Sequence, residues 1–160
     1  MSGTRVLFVC SGNICRSPTA EGVFRALATD EGWPAAVLAD SAGTNDYHIG
    51  DPPDPRAIAH AAGRGIDIAA LRARQVAPED FGRFDLIVAM DRGHARQLEA
   101  LRRRHAGPHT AEIVLLLDFV EDKEGRDVPD PYYGGEREFA RALDLIERGV
   151  AGLVAHLRRD

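Results

Sequence analysis

Cys10 stands six positions before Arg16 in the stretch Val9-Cys10-Ser11-Gly12-Asn13-Ile14-Cys15-Arg16-Ser17-Pro18. The apolar run Val6 to Val9 precedes it, so the order is a buried strand running into a loop that opens a helix. Ser17 is the expected N-cap, and Pro18 suits the first turn, where its missing amide hydrogen would have no partner. Free backbone amides and the positive end of a helix dipole make such a loop a cradle for an anion, with Gly12 letting the chain curl closely; a phosphate is the expected guest. A cysteine at the strand end faces the same field, which favours the nucleophilic thiolate over the thiol. Arg16 can reach back over the loop, and its planar fork matches two phosphoryl oxygens at once. Attacking group, cradle and guanidinium together are what covalent phosphoryl transfer requires. The plain alternative, Cys10 as a small buried hydrophobe and Arg16 as a surface charge, would be preferred for an isolated pair. The flanking strand, the glycine and the Ser-Pro start favour chemistry.

Something must hold this loop. Apolar runs recur at Val6 to Val9, Val37 to Ala39, Leu86 to Ala89 and Ile113 to Leu116, which predicts four buried parallel strands. Helical stretches alternate with them: Pro18 to Thr29, Pro55 to Ala62, Arg92 to Leu101, and a long last segment from Glu136 to Leu157. In that segment Phe139, Ala142, Leu143, Ile146, Val150, Leu153, Val154 and Leu157 fall on one helical face, and Gly149 and Gly152 weaken the helix without breaking it. The expected architecture is α/β and three-layered, a flavodoxin-like four-stranded parallel sheet with helices on both faces. Ligands in such folds bind at the carboxyl ends of the strands, near a topological switch point, which is where the Cys10 loop falls. The stretches Asp51 to Pro55 and Val120 to Pro131 are expected as surface loops.

The 160 residues suit one domain, residues 1–160, and 44% apolar with 28% charged residues indicates neither disorder nor a membrane protein. A net charge of -5 with scattered basic residues argues against nucleic acid; the run Arg102, Arg103, Arg104 fits a solvated helix end. Two cysteines so close together make neither a disulfide framework nor a zinc site, and no metal or cofactor is expected. No signal peptide or spanning segment is apparent, so the expected location is the cytoplasm.

The segment Val9 to Glu21, V-C-S-G-N-I-C-R-S-P-T-A-E, resembles the signature of the low-molecular-weight protein tyrosine phosphatases. The resemblance extends to Asp130-Pro131-Tyr132-Tyr133-Gly134 and, more weakly, to Asp40-Ser41-Ala42, Pro53-Asp54 and Ala73-Arg74-Gln75. It implies Cys10 as nucleophile, Arg16 as phosphate binder and Asp130 as the acid that protonates the leaving phenolate and later takes a proton from water. The loop Ser11, Gly12, Asn13, Ile14, Cys15 and Ser17 would bind phosphate or another oxyanion, with Asn13 and Ser17 bracing it and Glu21 and Ser41 behind them. Tyr47 and Tyr132 would wall a deep cleft, with Ile14, His48 and Tyr133 at or near its rim; aromatic walls favour phosphotyrosine over phosphoserine. Cys15 resembles the family's second loop cysteine, which can form a reversible disulfide with the nucleophile; a small buried core residue is the equal alternative. One departure is Leu71, where the family usually carries His two residues before the Ala-Arg-Gln element. The implied partner is a phosphotyrosine-containing protein, met by a monomer, with a weak dimer left open.

Rival enzymes share the fold. A thioredoxin-coupled arsenate reductase needs cysteines after Cys15, and there are none. A phosphoarginine phosphatase typically carries Thr after the loop Asn, where this chain has Ile14. A non-catalytic phosphotyrosine-binding module would tend to lose Cys10, Arg16 or Asp130, and a flavodoxin-like carrier or receiver has no use for the loop.

Overall fold

A computed structural model describes residues 3–34, 38–121 and 125–159. Four parallel strands, β1 (Arg5–Cys10), β2 (Leu38–Gly43), β3 (Leu86–Ala89) and β4 (Glu112–Leu115), lie in the order β2-β1-β3-β4. Between and after them come α1 (Arg16–Asp30), α2 (Pro55–Ala62), α3 (Asp80–Arg83), α4 (Arg92–Arg103) and α5 (Glu136–Arg158). The α/β flavodoxin-like expectation holds. No helix among the described residues is long and apolar enough to cross a membrane.

The period of two along β1 sorts the core. Val6, Phe8 and Cys10 face one side, packed with residues of α1 and α5; Leu7 and Val9 face the other, with Phe81, Phe84 and Leu98 of the α3–α4 region. Because β2 lies to one side of β1 and β3 to the other, successive crossovers diverge at β1, and a crevice opens at its carboxyl end. Cys10 is the last residue of that strand.

Several boundaries differ from the sequence reading. β2 runs on to Gly43, well past Ala39, because it stays paired with β1 as far as Cys10, and its polar residues Asp40 and Ser41 interrupt the apolar run within the strand; Val37 lies outside the described residues. Leu116 belongs to a 3-10 turn, Leu116–Phe119, instead of β4. The short α3 carried no periodic signal. The two stretches read as surface loops are anchored in the interior: Asp54 and Val128 are buried, while residues 122–124 of the second lie outside the described residues.

Gly152 shows why a helix-weakening residue sits in α5. A Cβ there would lie 2.0 Å from the Phe119 carbonyl oxygen, so the glycine is what lets α5 approach the 3-10 turn. Helix propensity alone would make Gly152→Ala stabilising by about 1 kcal/mol. The backbone clash outweighs it, and a net loss of about 2–3 kcal/mol is expected. Urea or thermal unfolding would read this; a variant at least as stable as wild type would show that α5 can shift freely away from the turn.

Candidate active site

The loop after β1 turns through Asn13, whose φ of 59° is the positive-φ position in this stretch. The sequence reading gave the tight curl to Gly12; the structure gives it to Asn13, a residue type that tolerates the left-handed region. Gly12 makes room instead, since a Cβ there would lie 3.0 Å from the His48 ring. The helix also starts earlier than expected, at Arg16 with Cys15 as N-cap and no side-chain cap bond. Ser17 is therefore inside the first turn, and its hydroxyl is committed elsewhere: Ser17 Oγ lies 3.0 Å from Cys10 Sγ.

Counting donors fixes the direction of the supporting network. Asn13 Nδ2 donates to Ser17 Oγ at 2.8 Å and to Ser41 Oγ at 3.0 Å, which uses both its protons. Ser41 donates in turn to Glu21 Oε1 at 2.7 Å. The Ser17 proton is thereby left for the Cys10 sulfur, with the Ala42 carbonyl 3.4 Å away as the weaker alternative. Glu21, buried at 2% exposed, is the acceptor that orients this chain; burial pushes its carboxyl up, against the bonds from Ser41 and Arg25. Asn13 Oδ1 accepts from the Arg74 amide at 3.0 Å, so a backbone donor braces the loop near the element whose usual His is Leu71. The Arg74 guanidinium holds Asp40 and the fully buried Asp80.

Arg16 is 3% exposed and held by one nitrogen, NH1, which donates to Asp91 Oδ2 at 3.0 Å and to the Val128 carbonyl at 2.8 Å. Its other terminal nitrogen, NH2, lies 3.5 Å from Asp130 Oδ2. Asp130 is half-exposed, with Oδ1 accepting from the Tyr132 amide at 3.1 Å. Arg56, from the start of α2, clamps the loop carrying Asp130: it donates to the carbonyls of Tyr132 and Gly134 at 3.0 and 3.2 Å and lies over the Phe139 ring at 4.6 Å. Its own partner is Asp54, whose carboxyl the Arg56 hydrogen bonds pull below the usual range.

These elements enclose a hollow of about 260 Å³ with Cys10, Ser11, Gly12, Cys15 and Arg16 in its lining beside Asp130. Ile14, Tyr47, His48, Tyr132 and Tyr133 complete it, together with Asn45, which sequence reasoning missed. Asn13, Ser17, Ser41 and Glu21 lie behind the loop. Tyr47 and Tyr133 are 81% and 93% exposed, and the Tyr133 ring stands edge-on to that of Tyr132, with centroids 4.9 Å apart. Cys15, by contrast, is buried, and burial first, then the nearby Asp54, pushes its thiol up, so it stays protonated. Also missed were Asp91, His94 and Arg56, while Asp54 stood in the Pro53-Asp54 match without a role. Asp91 carried one readable signal, since an acid just before a helix is an N-cap, and it caps α4 by accepting from the His94 amide.

Comparison with known proteins agrees with this geometry. The chain is 45% identical over 158 residues to a low molecular weight protein-tyrosine-phosphatase of Streptomyces coelicolor, covering 98% of this chain and 94% of that protein. It is 43% identical over 155 residues to the low molecular weight protein-tyrosine-phosphatase YfkJ of Bacillus subtilis, covering 97% and 96%. The crystal structure of YfkJ superposes with a TM-score of 0.89 over 99% of this chain and 97% of that one. That of a Drosophila arginine phosphatase, 30% identical, superposes with 0.91 over 97% and 98%. The family model described as low molecular weight phosphotyrosine protein phosphatase matches residues 5–160. A Cys10 loop braced from Glu21 and faced by Arg16 and Asp130, on a sheet matched from end to end, thus has a family: the chain belongs to the low molecular weight phosphotyrosine protein phosphatases.

Proposed function

We propose that the chain hydrolyses phosphotyrosine monoesters on protein substrates in two steps through a phosphocysteine. The observation that carries this reading is one hollow lined by Cys10, Arg16 and Asp130, with the Ser17 hydroxyl 3.0 Å from the sulfur. In the first step the Cys10 sulfur attacks phosphorus, the bond to the aryl oxygen breaks, and Asp130 gives its proton to the departing phenolate. In the second, water attacks the phosphocysteine, its proton passes to Asp130, and the sulfur leaves as thiolate with phosphate in the loop. Arg16, pinned through NH1, keeps its orientation, so its guanidinium faces developing charge without reorganising. The Ser17 hydroxyl, 3.0 Å from the sulfur, stabilises the negative charge that returns to it as it departs.

Substrate choice rests on the walls. A ring between Tyr47 and Tyr132 gains stacking that an alkyl phosphate cannot, worth about 0.5–1.5 kcal/mol per aromatic contact. Phosphotyrosine turnover is therefore expected to exceed phosphoserine turnover by roughly tenfold to a hundredfold in kcat/KM. Turnover of phosphotyrosine, phosphoserine, phosphoarginine and arsenate by the purified protein tests it. Preferred cleavage of phosphoarginine would move the chain to the activity named for its Drosophila structural neighbour and remove the phosphotyrosine reading.

A further inference from the structure

His94 is a buried imidazole that the two steps above do not use. It lies in the first turn of α4, 3% exposed, with Nε2 2.9 Å from Oγ of Ser11, the residue after the nucleophile. Its Nδ1 is 3.2 Å from Asp91 Oδ1 but out of line for a hydrogen bond, and is a buried nitrogen with no hydrogen-bond partner. A carboxylate at that distance, even off line, repels a lone pair on Nδ1 and attracts a proton there, so the neutral ring carries its proton on Nδ1. Nε2 then accepts the Ser11 hydroxyl proton, and Ser11 offers the hollow lone pairs only. On an imidazolium the bond reverses: Nε2–H donates to Ser11 Oγ, and the hydroxyl proton is released toward the hollow that Ser11 shares with Cys10 and Arg16.

We propose that His94, acting through Ser11, is a positioning residue that couples one proton to oxyanion affinity. The protonated ring makes Ser11 a donor to the bound oxyanion, and the bound dianion holds the proton on the ring. This deepens the phosphatase reading and rests on it for the identity of the oxyanion. The charges facing His94 are divided. Burial is the largest influence and disfavours the imidazolium, with Arg16 of α1 acting in the same sense; Asp91 of its own helix and Asp127 and Asp130 of the loop before α5 favour it. The balance holds its pKa down at about 4. Linkage requires that a dianion raise that pKa by the same factor by which protonation tightens dianion binding.

Sulfate is the probe, because it stays a dianion across the range needed. With a coupling of about tenfold, sulfate should bind about fivefold more tightly at pH 4 than at pH 7, beyond any change seen in His94→Gln, which hydrogen-bonds without titrating. Ser11→Ala should lose the same excess. In the unmodified protein, the NMR titration of the His94 ring should move up by about one pH unit when sulfate saturates the loop. Equal pH dependence in wild type and His94→Gln, or a His94 titration indifferent to sulfate, would overturn the proposal. Binding is read without turnover, so loss of the phosphatase reading would appear separately, as sulfate coupling in a protein that cleaves no aryl phosphate.

Discussion

Cys10→Ser is expected to lower aryl phosphate turnover on the order of 10⁴-fold or more while leaving phosphate binding within a few-fold of wild type. The two outcomes separate because different atoms serve them. Turnover needs a polarizable sulfur nucleophile, and a serine hydroxyl in the same place has no neighbouring base among the described residues to activate it; its nearest partner, Ser17 Oγ, is oriented to donate. Binding needs the loop amides and Arg16, and neither changes. The substitution is close to isosteric at a site 3% exposed, so the fold should hold within about 1 kcal/mol. Steady-state hydrolysis of an aryl phosphate, with calorimetric titration of phosphate, reads both. Near-wild-type turnover in the variant would end the covalent mechanism.

Asp130→Ala is the second large effect, about 10²- to 10⁴-fold in kcat for a substrate with a poor leaving group such as phosphotyrosine. A strongly acidic phenol leaves without protonation, so the loss should shrink toward the low end as the leaving group improves. Equal slowing across a series of phenols would remove the general-acid role. A further sign follows from the 3.5 Å between Asp130 Oδ2 and Arg16 NH2. Taking a carboxylate away from beside an anion site strengthens anion binding, so phosphate inhibition should become tighter, not weaker, in this variant.

Much of this was legible from residue order. The Cys10-to-Pro18 stretch carries its own local logic, a strand into a loop into a helix, and the α5 face was readable because its apolar positions from Phe139 to Leu157 recur at three and four residues, to which the structure adds Leu145 and Gly149 as buried. β2 was cut short for the opposite reason: Ser41 points inward to Glu21 and Asn13, and an inward polar residue breaks the pattern by which strands are found. The same holds for the opening turns of α1, where Arg16, Ser17, Thr19 and Glu21 are all buried, so no apolar stripe marks the true start. Functional polar burial erases the periodic signal where the site lies.

The amino-acid order by itself determined the alternating α/β layout and the loop between β1 and α1 that carries Cys10 and Arg16 into one hollow, because those depend on neighbours within a few residues and on hydrophobic period. The tertiary structure alone decided which partners fix that machinery. Asp91 and Val128 hold one end of Arg16, Arg56 holds the loop of Asp130, and His94 meets Ser11 across 83 positions of chain. Such contacts are set by how strands are ordered in the sheet, a property of the folded whole that no local stretch encodes.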